Sequence, residues 1–341
     1  MANFNPNDIG IANGSYFGLP YSVDESEIVI LPIPWDVTTS YKSGTSNGPK
    51  AILNASLQVD LFDVNVPFAW KVKIATLPVG DDIIDQNAVG REISTSVIKC
   101  LGMGYSQQEL SKDISKVNIK CSLLNEYVRE SARMQIEKGK IVGVLGGEHS
   151  VPYGFIQALS EKYEDFGILH IDAHADLREA YEGFLYSHAS IMFNVLKGIP
   201  QVSKICQVGQ RDFCHQECSL IENDNRISFF SDMEISNFLF EGGKWSTICD
   251  RIIDSLPNNI YISFDIDGLS PDLCPNTGTP VPGGLSFRQA DYLLFRLANS
   301  GKKIIGFDLC EVTPGEGEWD ANVGARLLYK ICLYIHHNME N

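Results

Sequence analysis

The sequence predicts an α/β protein whose open, mostly parallel sheet is sandwiched between helices. Three observations carry that reading. Short apolar runs rich in Ile, Val, Leu and Phe recur along the whole chain, amphipathic stretches separate them, and several runs end in unusual polar clusters. Runs that are apolar throughout belong to strands buried on both faces, as in a parallel sheet covered by helices. Strand–helix alternation over the full length implies such a sheet.

In chain order, the first strand is expected at 27–32 (EIVILP), with a helix over 49–61. A second strand at 71–77 (KVKIATL) precedes a helical pattern over 119–139 and a third strand at 140–145 (KIVGVL). A helix over 152–162 leads to the strand at 166–172 (FGILHID), and strands follow at 204–208 (KICQV) and 226–230 (RISFF). One helix is expected over 233–255, then a strand at 259–265 (NIYISFD) and a helix over 287–300. The last pair is a strand at 303–309 (KIIGFDL) and a helix over 322–336. No internal repeat or long linker divides the 341 residues, so the chain reads as a single domain over 1–341, with an N-terminal extension at 1–26 and a core at 27–337.

Composition narrows the function classes. At 44% hydrophobic and 21% charged residues, the chain has the make-up of a folded, soluble protein. Its net charge of −16, with no block of Lys or Arg, argues against a nucleic-acid partner, which needs clustered positive charge. No apolar run approaches the roughly 18 residues of a membrane span. The N-terminus lacks a basic start followed by an apolar stretch, so no signal peptide is expected and the cytoplasm is the predicted location. The nine cysteines form no tight framework, which agrees with that compartment. Cys214 and Cys218 flank His215 at a spacing like that of zinc ligands, but a second ligand pair is missing nearby. They read as buried or incidental thiols.

In a sheet of this kind ligands bind beyond the carboxyl ends of the strands. There the sequence places Gly146-Gly147-Glu148-His149-Ser150, Asp172-Ala-His174-Ala-Asp176, Asp265-Ile-Asp267 and Asp308-Leu-Cys-Glu311. Nothing comparable follows the first two strands. Residues two apart in an extended segment point the same way, so Asp172, His174 and Asp176 can converge, as can Asp265 and Asp267. With His149, that makes four carboxylates and two imidazoles, a negative excess that burial forbids without cations. Carboxylates with some imidazole suit Mn²⁺ better than structural zinc. Two such ions lower the pKa of a water held between them, and metal-assisted hydrolysis is the chemistry inferred. His170, inside its strand, reads as a satisfied core histidine, while His215, His336 and His337 read as structural or exposed.

The segments GGEHS, HIDAHADLREAYEGFLYSHAS and SFDIDGLSPDLCPNTGTPVPGGLS together resemble the ureohydrolase family of arginases and agmatinases. The resemblance runs from Ser43-Gly44-x-x-x-Gly48-Pro49-x-x-Ile52 to Glu311, most of the chain. Glu148 stands where many members carry Asp. The resemblance implies a three-layer α/β/α sandwich and a centre of two Mn²⁺. His149, Asp172, Asp176 and Asp265 would hold one ion; Asp172, His174, Asp265 and Asp267 would hold the other.

It further implies hydrolysis of a small guanidino substrate to urea and an amine. Asp176 would orient the attacking water and Glu311 would pair with the guanidinium. His188 would shuttle protons or only line the pocket; the shuttle is the favoured reading. Agmatine is the favoured substrate. Arginine follows, then 4-guanidinobutyrate or another guanidino acid; a phosphoesterase and a lapsed scaffold are the other classes. Arg178 stands where many arginases have Asn; it either binds a substrate carboxylate or pairs with Glu179 or Glu182. Members are commonly trimers or hexamers, so a homo-oligomer is expected.

Overall fold

The computed structural model describes residues 4–340. Its strands are β1 (Ile28–Ile33), β2 (Ile74–Thr76), β3 (Ile141–Gly146), β4 (Phe166–Ile171), β5 (Val202–Val208), β6 (Ile227–Phe230), β7 (Asn259–Asp265) and β8 (Lys303–Cys310). All are hydrogen-bonded in parallel into one sheet of order β2-β1-β3-β8-β7-β4-β5-β6. Every apolar run expected as a strand is one, with ends shifted by a few residues. β1, β3 and β4 are buried at every position, as strands covered on both faces must be.

Two apolar layers hold the sheet between helices. One joins α1 (Gly48–Ser56), α7 (Asp232–Phe240), α8 (Trp245–Asp254), α9 (Phe287–Ala298) and α10 (Trp319–Glu340) to one face. On the other lie α2 (Asp81–Gly102), α3 (Ser111–Glu137), α4 (Tyr153–Lys162), α5 (Ile191–Gly198) and α6 (His215–Asn223). The fold is therefore the three-layer α/β/α sandwich expected. Tyr16, Phe17 and Leu19, from the predicted N-terminal extension, are buried in the first layer. No helix among the described residues is long and apolar enough to cross a membrane.

Three helices escape the sequence reading, and one expected helix is two. The stretch 233–255 breaks at Gly242-Gly243, where Gly242 takes a φ of 89° that ends α7 in a left-handed turn. The helix α2 is hidden in the sequence because it carries β-branched residues and Gly90, poor helix formers in isolation. Its glycine is needed by packing: a Cβ there would lie 2.7 Å from a Val37 methyl. The short α5 and α6 have too few turns to show periodicity. Ser286 and Gln289 form a capping box that starts α9 at its predicted position.

The sheet order gathers the polar residues. Strands β3, β8, β7 and β4 are adjacent at the centre, and all four polar clusters sit at their carboxyl ends.

Candidate metal centre

His149, Asp172, Asp176, Asp265 and Asp267 are all almost fully buried at the carboxyl ends of these central strands, and His174 is partly exposed. His149 points Nδ1 inward, 2.9 Å from Asp172 Oδ2, 3.2 Å from Asp176 Oδ2 and 3.4 Å from Asp265 Oδ2. Its Nε2 meets the Ser263 hydroxyl at 2.9 Å, which holds the ring in place. Asp172 is the shared member. Its Oδ2 faces His149 and its Oδ1 accepts from the His174 backbone N–H at 2.6 Å. His174 Nδ1 lies 3.1 Å from Asp267 Oδ2 and 3.5 Å from Asp172 Oδ1.

Among the described residues two groups with metal-holding geometry result: His149, His170, Asp172 and Asp176, and Asp172, His174 and Asp267. Asp265 is close to the first but outside both; its Oδ1 accepts from Asp267 N–H at 2.8 Å. His170 enters by proximity, yet its ring is already committed. Gln207 Nε2 donates to both the Ala175 carbonyl and His170 Nδ1, so His170 carries its proton on Nε2 and donates it to Asp172 at 2.9 Å. His170 thus orients Asp172.

The electrostatics of the cluster call for positive charge. Burial pushes Asp176 up to about 6, with the Asp172 charge adding to it. Burial and the charges of Asp267 and Asp172 drive Asp265 well above the usual carboxylate range. Burial opposes ionisation of Asp172 as well, but hydrogen bonds from His149 and His170 outweigh it and hold this carboxyl low. Asp267 Oδ2 is buried and forms no well-aligned hydrogen bond, with His174 Nδ1 beside it at 3.1 Å. Oxygen donors crowded with imidazole, two of the carboxyls held toward their protonated forms by burial and neighbouring charge, and a buried Asp267 oxygen without a well-aligned hydrogen bond fit divalent cations.

The centre forms the floor of a cavity of about 150 Å³ whose lining includes Ser40, Arg178, Tyr181, His188, Asp212, Glu217, Thr279 and Glu311. Glu311 accepts from the His149 backbone N–H at 2.9 Å, and burial, then the Glu148 charge, drives its carboxyl well above the ordinary range. Asp176 and Glu311 both hold left-handed backbone, with φ of 54° and 64°. That conformation is costly for residues with a Cβ and is typical of functional positions. Burial, with help from the His174 charge, pushes His188 down to about 3, so its ring is neutral.

Several lining residues carry no mark in the sequence. The segment after β1, where no cluster is expected, supplies Thr38 and Ser40 to the surroundings of His188. Arg178 pairs with neither Glu179 nor Glu182. Its guanidinium stacks over the Tyr181 ring at 4.7 Å, with Nε 3.7 Å from the buried Glu217. Glu217 in turn accepts from the Leu177 and Cys214 N–H groups, so Cys214 serves as a helix cap. No sequence spacing marks Glu217; a Glu three residues into a helix is the only signal. His336, expected to have no carboxylate partner in sequence, meets Glu27 at 3.0 Å from the other end of the chain and Glu340 at 3.5 Å one turn along α10.

The sequence model of the Arginase family matches residues 26–334. The chain belongs to the arginase family. As a member it is a hydrolase. Among curated relatives, an N(1)-aminopropylagmatine ureohydrolase from Thermus thermophilus is 33% identical over 91% of this chain and 90% of its own. An agmatinase from Pyrococcus horikoshii is 27% identical over 91% and 92%. Among solved structures, the agmatine ureohydrolase of Thermoplasma volcanium superposes with a TM-score of 0.70 at 21% identity, covering 94% of both chains. The proclavaminate amidino hydrolase of Streptomyces clavuligerus gives 0.71 at 19%, over 95% and 97%. These two likenesses establish the arginase-family fold.

Proposed function

We propose that this arginase-family protein hydrolyses agmatine to putrescine and urea with two Mn²⁺ ions, as a cytoplasmic homo-oligomer. The observation that carries the reading is the convergence of the carboxylate–imidazole cluster and Glu311 on one cavity. His149, Asp172, Asp176 and Asp265 would hold one ion, and Asp172, His174, Asp265 and Asp267 the other. When bound, the ions would supply a water whose pKa is low enough for attack at neutral pH. A carboxylate oxygen of Asp176 would accept a hydrogen bond from such a water and fix its direction. Glu311 binds the planar guanidinium through paired charge-assisted hydrogen bonds and sets its carbon over the floor. The neutral His188 would accept the proton that the attacking water gives up and pass it to the amine nitrogen as the C–N bond breaks.

The mouth supports an amine tail over a carboxylate one. Arg178, the cation there, is engaged by Tyr181 and Glu217, while the exposed Asp212 carboxylate has no ion pair among the described residues. The same carboxylate, with the likeness to the N(1)-aminopropylagmatine ureohydrolases of Thermus thermophilus and Synechocystis, favours N1-aminopropylagmatine as a second reading. Urea release from agmatine, N1-aminopropylagmatine, arginine and 4-guanidinobutyrate by Mn²⁺-loaded protein tests the proposal. Agmatine is expected to give the highest kcat/KM, and a preference for arginine would overturn it.

A further inference from the structure

Glu148 is a fully buried carboxylate that does not line the cavity and has no part in the chemistry above. Its three side-chain hydrogen bonds all come from donors. Thr38 donates its backbone N–H to Oε2 at 2.6 Å and its hydroxyl to Oε1 at 2.8 Å, and the Ser150 hydroxyl donates to Oε1 at 2.6 Å. The Thr38 oxygen also reaches His188: it accepts from the His188 backbone N–H at 3.0 Å and lies 3.4 Å from ring Nδ1. His188 Nε2 faces the Ser40 hydroxyl at 3.4 Å, on the cavity side.

A hydroxyl has one proton. Here the nearer acceptor takes it, Glu148 at 2.8 Å against 3.4 Å for His188 Nδ1, so Thr38 offers only lone pairs to His188. We infer that Glu148 is a positioning residue for His188: through the Thr38 hydroxyl it holds the histidine backbone and directs the ring to carry its proton on Nδ1, leaving Nε2 as the open acceptor facing the cavity. The neutral ring holds a single proton, so its location decides whether the cavity meets an acceptor or a donor. The catalytic weight of this arrangement rests on the role proposed for His188, whereas the arrangement itself rests on the hydrogen bonds alone.

A Glu148→Gln substitution keeps shape and reverses one link. With the amide oxygen left on the Thr38 N–H, the NH₂ group donates to the two hydroxyls, and the Thr38 proton turns toward His188 Nδ1. The ring proton then belongs on Nε2. Glu148→Asp keeps an all-acceptor group.

Neutron diffraction from perdeuterated crystals of the full-length, Mn²⁺-loaded protein reads these protons directly. The wild type is expected to show deuterium on His188 Nδ1 and none on Nε2, and Glu148→Gln the reverse. Turnover of Glu148→Gln should fall about 10–100-fold in kcat with KM changed less than about threefold, and Glu148→Asp should restore both protonation and rate. Deuterium on Nε2 in the wild type, with Nδ1 accepting from the Ser187 hydroxyl 3.3 Å away, would overturn the inference without any variant. Wild-type protonation persisting in a folded Glu148→Gln protein would overturn it too. A reversed ring with unchanged turnover would uphold the inference and remove His188 from the proposed chemistry.

Discussion

His149 and Asp172 meet at 2.9 Å although two strands, β8 and β7, separate the strands that carry them. The contact forms because both side chains extend past the carboxyl ends of the sheet and lean over the intervening strands. Between them, Asp265 leaves the end of β7 and Glu311 follows β8. The centre is therefore a roof over four strands, and each substitution within it tests a different part.

Metal uptake should depend on pH. Burial raises Asp176 to about 6 in the metal-free protein, so below that pH a cation must displace its proton. Mn²⁺ affinity, followed by calorimetry, should weaken about tenfold for each pH unit below 6 from this group alone. Above 6 this contribution vanishes because the group is already ionised. An Asp176→Asn protein should bind more weakly throughout and lose that part of the slope.

Metal removal should abolish activity. Chelated protein is expected to release no urea, and Mn²⁺ should restore it better than Zn²⁺, given a donor set of carboxylates and imidazoles without thiolate. Elemental analysis of active protein should find about two ions per chain. A single zinc would contradict the assignment.

Glu311 and Asp265 should fail differently. Glu311→Gln removes the carboxylate proposed to face the guanidinium while leaving the cluster intact, so kcat should drop by about 10²-fold or more at unchanged metal content. Asp265→Ala should lose metal and activity together. Near-normal urea production by Glu311→Gln would refute its assignment to the substrate.

The mouth should sort substrates by charge. Asp212→Asn is expected to raise KM for amine-tailed substrates, most for the one with the longest polyamine tail, and to leave arginine less affected. Arg178→Ala should change agmatine turnover little. If it instead selectively damaged arginine or 4-guanidinobutyrate turnover, Arg178 would be a carboxylate binder.

Gly147 gives a structural control. A Cβ there would lie 2.0 Å from the Trp35 carbonyl oxygen, on rigid backbone beside the site. Gly147→Ala should cost about 1–3 kcal/mol in chemical denaturation and displace Glu148 and His149. Thermal stability equal to the wild type would show that the loop yields.

The sequence by itself determined the strands and which carboxylates and imidazoles stand past their ends. Runs such as Ile28–Ile33 are apolar throughout, which only a doubly covered strand requires, and carboxylates and imidazoles recur at spacings of two just past the ends of β4 and β7. Such information is local, carried by neighbours along one strand. What tertiary structure alone decided is everything held by partners far apart in sequence. Val37 fixes Gly90 into α2, and Arg91 from that helix donates to the carbonyls of Asp36, Val37 and Thr39, shaping the wall that brings Thr38 to His188. Arg178 turns to Tyr181 and Glu217 because α6 delivers a buried carboxylate there. A side chain's hydrogen bonds go to whichever groups the packed chain presents, and no spacing in the sequence encodes that presentation.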